Sequence, residues 1–492
     1  MNMPKLSTDQ NQFFAKIADL AFMNPFSVER EQADWQVLDI SPEAMTFADR
    51  LALIEAKLEN AFQELQRQRS FNIGDYQGKS QDNMRLAWLF YIFHHYRQAF
   101  TEHIKAQQQA GDKTVELAFA RTLISQFGQA GFTPPETAHY IALLFQVQRA
   151  FSFIDDAVSG DCPAIYELRM RLWNNIFTFN PAWYLNHLFA RMEDFSLLLL
   201  GETGTGKSLV AKAVGCSGYI PFDLSTRRFI ESFTASFRAI NLSEYSTSLL
   251  ESELFGHKKG AFTGAIDNHP GLFAKCSRHG SVFIDEIGDV DVPIQVKLLN
   301  VIQDRVYSPV GSHEKHRFEG RVISATNRPI AQLLEQGLFR ADLYYRLCSD
   351  VITLPSLRQR IHENPNELHS LIARLLNRVI PTPDEDLLSR IETKIRTTVP
   401  PDYHWPGNVR ELEQCIRRIC LTGSYQAKPL ATVVQDEFAL YRTEDGYQSA
   451  QQLMQNYCRF LYAELGGFEA VARVAGVDRR TVKKYMDWDA AD

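Results

Sequence analysis

The stretch Leu197-Leu-Leu-Leu-Gly201-Glu-Thr-Gly-Thr-Gly-Lys-Ser208 decides the fold. Its leucines end an apolar run that starts at Phe195, and from Leu209 to Val214 the chain resumes at helical spacing. A buried strand, a glycine-rich turn and a helix in that order are the setting of a phosphate-binding loop. Gly201, Gly204 and Gly206 let the backbone wrap so that successive N–H groups point inward, and the following helix N-terminus adds partial positive charge. Glu202, Thr203 and Thr205 fill the loop between them. Lys207 is placed to reach the β and γ phosphates of a nucleotide, and the Ser208 hydroxyl to bind magnesium. A glycine turn without ligand is the plain alternative, disfavoured by the strand before it and the helix after it.

Further along, Val282-Phe-Ile-Asp285-Glu286 reads as a buried strand ending in two acids. Acidic pairs at strand ends are often plain surface. Downstream of a phosphate-binding loop they suit magnesium binding through Asp285 and polarisation of attacking water through Glu286, which implies hydrolysis. Other short apolar runs, Phe237 to Ile240, Val322 to Ala325 and Val351 to Leu354, alternate with helical stretches and predict a parallel α/β sheet.

On either side the texture is helical. The expected organisation is multi-domain: a mostly helical regulatory domain over 1–168, an α/β P-loop core over 169–355, a helical lid over 356–425, a polar linker over 426–448 and a small helical module over 449–492. A chain of 492 residues with a net charge of -7 has room for several cores and is not coated with basic surface, so any nucleic-acid contact must come from a local patch. The seven cysteines are scattered, without a C-x-x-C pair or zinc spacing, as expected for reduced thiols in a cytoplasm. Met1 to Leu20 lacks the apolar core of a secretory signal, and Leu86 to Phe93 is far shorter than the roughly 20 residues that span a bilayer, so no membrane segment is expected.

With these motifs in place, the sequence resembles the AAA+ ATPases, and within them the sigma-54-dependent activators, over roughly Phe195 to Leu421 and again near the C-terminus. The deciding segment is Glu251-Ser-Glu-Leu-Phe-Gly256 followed by Gly260-Ala-Phe-Thr-Gly-Ala265. The resemblance implies that Gly260, Ala261, Phe262, Thr263, Gly264 and Ala265 tip a loop that contacts sigma-54. Gly260 and Gly264 permit a tight reversal, and Phe262 exposed at a turn is otherwise unfavourable.

The resemblance further implies that Asn241 relays the γ-phosphate state to Glu286, and that Thr326 and Asn327 end a sensor strand. Arg340 and Arg346, in Phe339-Arg-Ala-Asp-Leu-Tyr-Tyr-Arg346, would reach a neighbouring subunit's nucleotide as arginine fingers, since guanidinium suits charge spread over phosphoryl oxygens. Arg410, in Trp405-Pro-Gly-Asn-Val-Arg410, would fold the lid onto the nucleotide. A site completed in trans closes into a ring, here expected to be a hexamer. The expected function is ATP-driven remodelling of the closed complex of sigma-54 RNA polymerase, with ATP and Mg2+ as cofactors. The alternatives are an AAA+ remodeller of another target, or a DNA-binding repressor that keeps an ATPase fold. Two departures stand out: Ser208 lies where the family often has an acid, and 218–236 is longer than usual by about a dozen residues, read as a surface insertion.

At the C-terminal end, Phe468 to Tyr485 reads as helix, glycine turn and helix, with Asp478 as the cap. It resembles the Fis-type helix-turn-helix. Val471, Ala472, Ala475, Val477 and Val482 form the expected inner face, leaving Arg479, Arg480, Thr481, Lys483, Lys484 and Tyr485 for double-stranded DNA. A bare helical hairpin is the alternative.

The first 190 residues match no familiar sensor, so their signal or partner is open. Asp155-Asp156 lies in helical texture and is expected to be a solvated helix end. Trp88, Phe90, Tyr91, Phe93, Tyr96 and Phe100, with His94 and His95, are expected to be packed core, with a ligand pocket as the second reading. Arg169 to Met192 is expected to connect this region to the core.

Overall fold

The computed structural model describes residues 6–40, 45–68, 71–380, 383–425, 442–443, 446–447 and 449–486. These divide into two compact units, 1–425 and 426–492.

The larger unit begins with seven helices: α1 Thr8–Leu20, α2 Val28–Leu38, α3 Phe47–Gln68, α4 Gly78–Ala110, α5 Ala120–Gln129, α6 Pro134–Ala157 and α7 Pro163–Phe177. Local chemistry sets several starts. Ser7 with Gln10 and Thr133 with Glu136 form capping boxes in which side chain and backbone satisfy each other's free N–H groups, and Pro134 opens α6 with φ already helical. Aromatic side chains fill the core between these helices. Trp88 lies edge-on to Phe127 at 4.7 Å, and Phe100 packs on Phe119 and Phe145. The expected domain boundary at residue 168 falls inside α7.

The central layer is a five-stranded parallel sheet of β1 Leu197–Leu200, β2 Phe237–Asn241, β3 Ser281–Asp285, β4 Arg321–Thr326 and β5 Asp350–Thr353, in the order β2-β3-β4-β1-β5. The strands read as continuous apolar runs because helices cover both faces; all six residues of β4 are buried. Four helices follow as the lid, Leu357–Glu363, Glu367–Val379, Glu385–Thr398 and Asn408–Thr422.

The stretch expected to be a surface insertion is core instead. Residues 222–223 and 228–229 pair as a short antiparallel ribbon, and Ile220, Phe222, Phe229 and Phe233 are buried in one cluster with the N-terminal helices. Phe229 stacks on Phe145 at 4.3 Å, and Leu117 N–H donates to the Arg227 carbonyl. Arg149 of α6, fully buried, donates to the carbonyls of Cys216 and Gly218 at 2.7 and 2.8 Å. Extra length in a surface loop leaves no such set of buried phenylalanines.

Asp155-Asp156 is the solvated helix end expected, with both side chains exposed at the end of α6, and its backbone has a partner as well. The carbonyls of both residues accept from Arg374 of the lid. Just beyond them, Asp161 N–H donates to Glu367 and Ala164 N–H to Glu363, while Arg360 reaches the Ser159 carbonyl. On α7, Arg171 and Asn175 reach Asp350 at the start of β5, and Asn175 accepts from the buried Arg321 of β4. Arg169 to Met192 thus packs along the sheet.

The smaller unit is a three-helix module, Ala450–Leu465, Phe468–Ala475 and Arg479–Met486, around Cys458, Leu461, Val471 and Val482. Most of the expected linker lies outside the described residues, apart from a ribbon of 442–443 with 446–447. Among the described residues, no helix is long and apolar enough to cross a membrane.

Candidate active site and its nucleotide cleft

The loop from Gly201 to Gly206 joins β1 to the helix Lys207–Gly215. Gly201, Gly204 and Gly206 all take positive φ, at 149°, 81° and 103°. The constraint is tightest at Gly204, where an added Cβ would lie 2.1 Å from the Gly407 carbonyl oxygen of the lid. Lys207 is buried and its ammonium donates to the carbonyls of Gly201 and Glu202, at 2.8 and 3.2 Å. Burial holds its pKa below the usual lysine range. Thr205 Oγ1 braces the loop through the Glu202 carbonyl.

Opposite stand the acids at the end of β3. Ser208 Oγ donates to Asp285 Oδ2 at 3.1 Å, so the hydroxyl and carboxylate expected to share a metal ion already face each other. Glu286 follows at φ 54°, and burial pushes its carboxyl above the usual range while the Asn327 N–H opposes the shift. Asn327 also donates to Thr203 Oγ1 at 2.9 Å, tying the end of β4 to the phosphate loop. Thr326 is wholly buried and accepts from the Arg328 N–H, a role in holding the turn.

The cleft between sheet and lid has a cavity volume of about 230 Å3 and is lined by the phosphate loop, Asp285, Glu286 and Arg410. Its other wall, Val158, Ile165 and Leu168, comes from α7 and the turn before it. The lid is latched by residues that motif reading left out. Asn408, fully buried at φ 51°, donates to Glu202 Oε2 and the Thr203 carbonyl and accepts from Leu357 N–H. Arg358 grips the Glu202 carboxylate with both terminal nitrogens and holds its pKa low. Glu202 therefore faces the lid. A polar residue at positive φ was the available signal, but only the fold shows what it touches.

Two expected groups stand apart from this cleft. Asn241 ends β2 beside Asp285, but its side chain caps the turn Leu242–Glu244 through Ser243 N–H, and no hydrogen bond joins it to Glu286 among the described residues. Arg340 forms a forked pair with Asp342, and Arg346 lies exposed on the helix Ala341–Leu347. Neither arginine lines the cleft of its own chain.

From Asn241 the chain runs through the helix Thr247–Phe255 into the loop Gly260 to Ala265. Gly260 N–H donates to the Ala265 carbonyl at 2.8 Å, closing a tight turn with Gly260 and Gly264 at φ 81° and 102°. Ala265 is buried, Ala261 packs over Gly311, and Phe262 and Thr263 are exposed at the tip. The Phe262 ring rests edge-on against His257 at 4.9 Å.

In the terminal module Val471 and Val482 are buried, with Ala472, Ala475 and Val477 packed against them. Asp478 caps the last helix through the N–H groups of Arg480 and Thr481. Arg479, Arg480, Lys483 and Lys484 are exposed and Thr481 half-buried. Tyr485 packs against the module's own core, so only part of its ring is open.

A phosphate loop between strand and helix, two acids at the end of β3 with β4 lying between it and β1, and a helical lid over both define a P-loop ATPase of the AAA+ class. The comparisons place it further. Residues 185–353 match the model of the sigma-54 interaction domain. The transcriptional regulatory protein GlrR of Escherichia coli K12 is 34% identical over 351 residues, covering 68% of this chain and 72% of that one. The regulator NtrC of Azospirillum brasilense is 38% identical over 50% of this chain and 47% of its own, so the chain spans about half of that relative. The sigma-54-dependent transcriptional activator SfnR of Pseudomonas putida is 38% identical over 55% and 70%. The chain belongs to the sigma-54-dependent transcriptional activators and carries their ATPase domain.

Proposed function

We propose that this chain works as a ring, with the hexamer as its expected size, which couples ATP hydrolysis to remodelling of the sigma-54 RNA polymerase closed complex. The cleft fits the nucleotide: Lys207 is desolvated, Gly204 and Gly206 line the cleft, and Ser208 and Asp285 converge where a divalent ion belongs. Mg2+ bound there would neutralise charge on the β and γ phosphates. Lys207 holds the phosphates, and Glu286 accepts a proton from the attacking water, a role favoured by its raised pKa. Arg340 and Arg346 point outside their own cleft and stabilise the transferring phosphoryl group in the neighbouring subunit. Arg410 links lid position to the same nucleotide.

The observation that carries this reading is a continuous path. One stretch, Asn241 to Ala265, begins beside Asp285 and ends at the exposed tip of Phe262 and Thr263. Asn241 serves as its hinge: the cap it gives to the Leu242–Glu244 turn is the contact that a γ-phosphate and Glu286 would exchange. The exposed Arg479, Arg480, Lys483 and Lys484 beside Thr481 fit the major groove of DNA upstream of promoters, with the part-open Tyr485 at the edge. The N-terminal helices, fixed to the lid, act as the regulatory body.

Transcription from a sigma-54 promoter with purified polymerase and ATP tests the reading. Wild type is expected to give transcript, and a Thr263→Ala variant none while still hydrolysing ATP. No transcript from wild type, nor from a form with 1–157 and 218–236 removed together, would favour remodelling of another target.

A further inference from the structure

The N-terminal helices enclose a second, mainly apolar crevice, far from the phosphate loop in sequence and lined by none of its residues. It lies among Leu51, Phe90, Phe93, Val147, Phe151 and Trp173, with Arg30, His94, Gln148 and the exposed Arg97 as polar groups in its wall. Its cavity volume is about 70 Å3. A single water needs only about 10–15 Å3.

The polar groups of the wall are incompletely satisfied. Arg30 is 5% exposed, and its Nε donates to Asp34 Oδ1 at 2.8 Å. Its Nη2 is buried with no hydrogen-bond partner among the described residues, and its guanidinium lies 5.5 Å from the Phe90 ring. Gln148 is 4% exposed; its amide nitrogen donates to Thr101 and Ser152, while Oε1 is buried without a partner.

Charge points the same way. Arg50, also buried, approaches the other oxygen of Asp34 at 3.7 Å, so two buried guanidinium groups share one wholly buried carboxylate. Glu31, which also meets Arg50, is half-exposed and is partly screened by water. Burying an unbalanced cation is costly, and a bound anion would offset that cost. A guanidinium edge with a free N–H suits a carboxylate.

We propose that this crevice is a binding site for a small carboxylic acid with an apolar body, its carboxylate on Arg30 Nη2 and its carbon skeleton among Phe90, Phe93, Val147 and Trp173. A hydroxyl or amine on the ligand would meet Gln148 Oε1. The walls belong in part to α6 and α7, the helices whose ends hold the lid and β5.

The test uses the full chain with benzoate, hexanoate and, as the neutral counterpart, benzyl alcohol, each at about 10 mM and equal ionic strength. Binding is read by calorimetry and by the thermal unfolding midpoint. At least one carboxylate is expected to bind and raise the midpoint by a few degrees, and benzyl alcohol to bind at least about tenfold more weakly. Arg30→Met removes the anion contact, and Val147→Phe fills the crevice with Arg30 intact; each, where its circular dichroism and ATPase rate match wild type, should lose at least about tenfold in affinity. If Arg30→Met does not fold, Val147→Phe and the alcohol comparison decide. Absence of binding by both carboxylates, equal binding of the alcohol, or undiminished binding in a folded variant overturns the proposal.

Discussion

Glu286 holds a backbone conformation that non-glycine residues rarely adopt and a carboxyl that burial keeps more basic than usual. Both features fit the proton-accepting role proposed for it. Glu286→Gln keeps the shape and removes the base, so ATP should bind with unchanged affinity while turnover falls about 10²- to 10⁴-fold, as read by nucleotide titration and phosphate release. His103 shows the same physics in a structural place. Burial, with Arg149 nearby, lowers its pKa from 6.5 to about 4, and its Nε2 has no hydrogen-bond partner among the described residues. The folded state therefore favours neutral His103. Its contribution is complete above pH 6.5 and is lost as pH falls towards 4, at roughly 1.4 kcal/mol per unit. Between pH 7 and pH 5, wild type should lose about 2 kcal/mol more stability than His103→Phe in urea titrations.

At the scale of elements, the lid is held to the phosphate loop through Asn408. Asn408→Ala loses three hydrogen bonds and puts a Cβ-bearing residue without a polar side chain at positive φ, whereas Asn408→Gly loses the bonds but relaxes the backbone. Both should weaken nucleotide binding about tenfold or more, and only Ala should add about 1 kcal/mol of backbone strain to the loss of stability. Equal nucleotide affinity in wild type and Asn408→Gly would remove the latch from the account. The exposed tip at Phe262 and Thr263 shows the complementary design: its turn is closed by its own backbone bonds, so Thr263→Ala should leave the unfolding midpoint unchanged.

Across the whole larger unit, the N-terminal helices and the ATPase core share buried surface. Phe222, Phe229 and Phe233 leave the ATPase sequence to complete the helical core, and Arg149 returns the contact. Deleting 1–157 alone should expose those phenylalanines and yield aggregated protein. Deleting 1–157, which keeps α7 and the cleft wall of Val158, Ile165 and Leu168, and replacing 218–236 with a short glycine-serine link should yield a dispersed ATPase domain, as measured by light scattering and ATP turnover. Its turnover should escape N-terminal control, because α1 to α6, which meet Arg374 of the lid through the Asp155 and Asp156 carbonyls, are gone; control that survived the double deletion would exclude that route.

The phosphate loop, the paired acids, the tight turn from Gly260 to Ala265 and the terminal helix pair were legible in the sequence because each is local. Glycines at fixed offsets dictate φ, apolar runs dictate strands, and an Asp before a basic helix dictates a cap. Sequence period could show that the first 168 residues are helical, and that aromatic density such as Trp88 and Phe100 means core. What only the tertiary structure decided are contacts between distant segments. The stretch 218–236 became core because Phe145 and Phe153 lie across from it. Asp155-Asp156 stayed solvated as expected, but that its carbonyls meet Arg374, more than two hundred residues away in sequence, only the fold could show. Glu202 turned to Arg358 and Asn408, and Arg30 was left with a free N–H beside a crevice. Burial and pairing depend on which surfaces meet, and no periodicity along the chain records that.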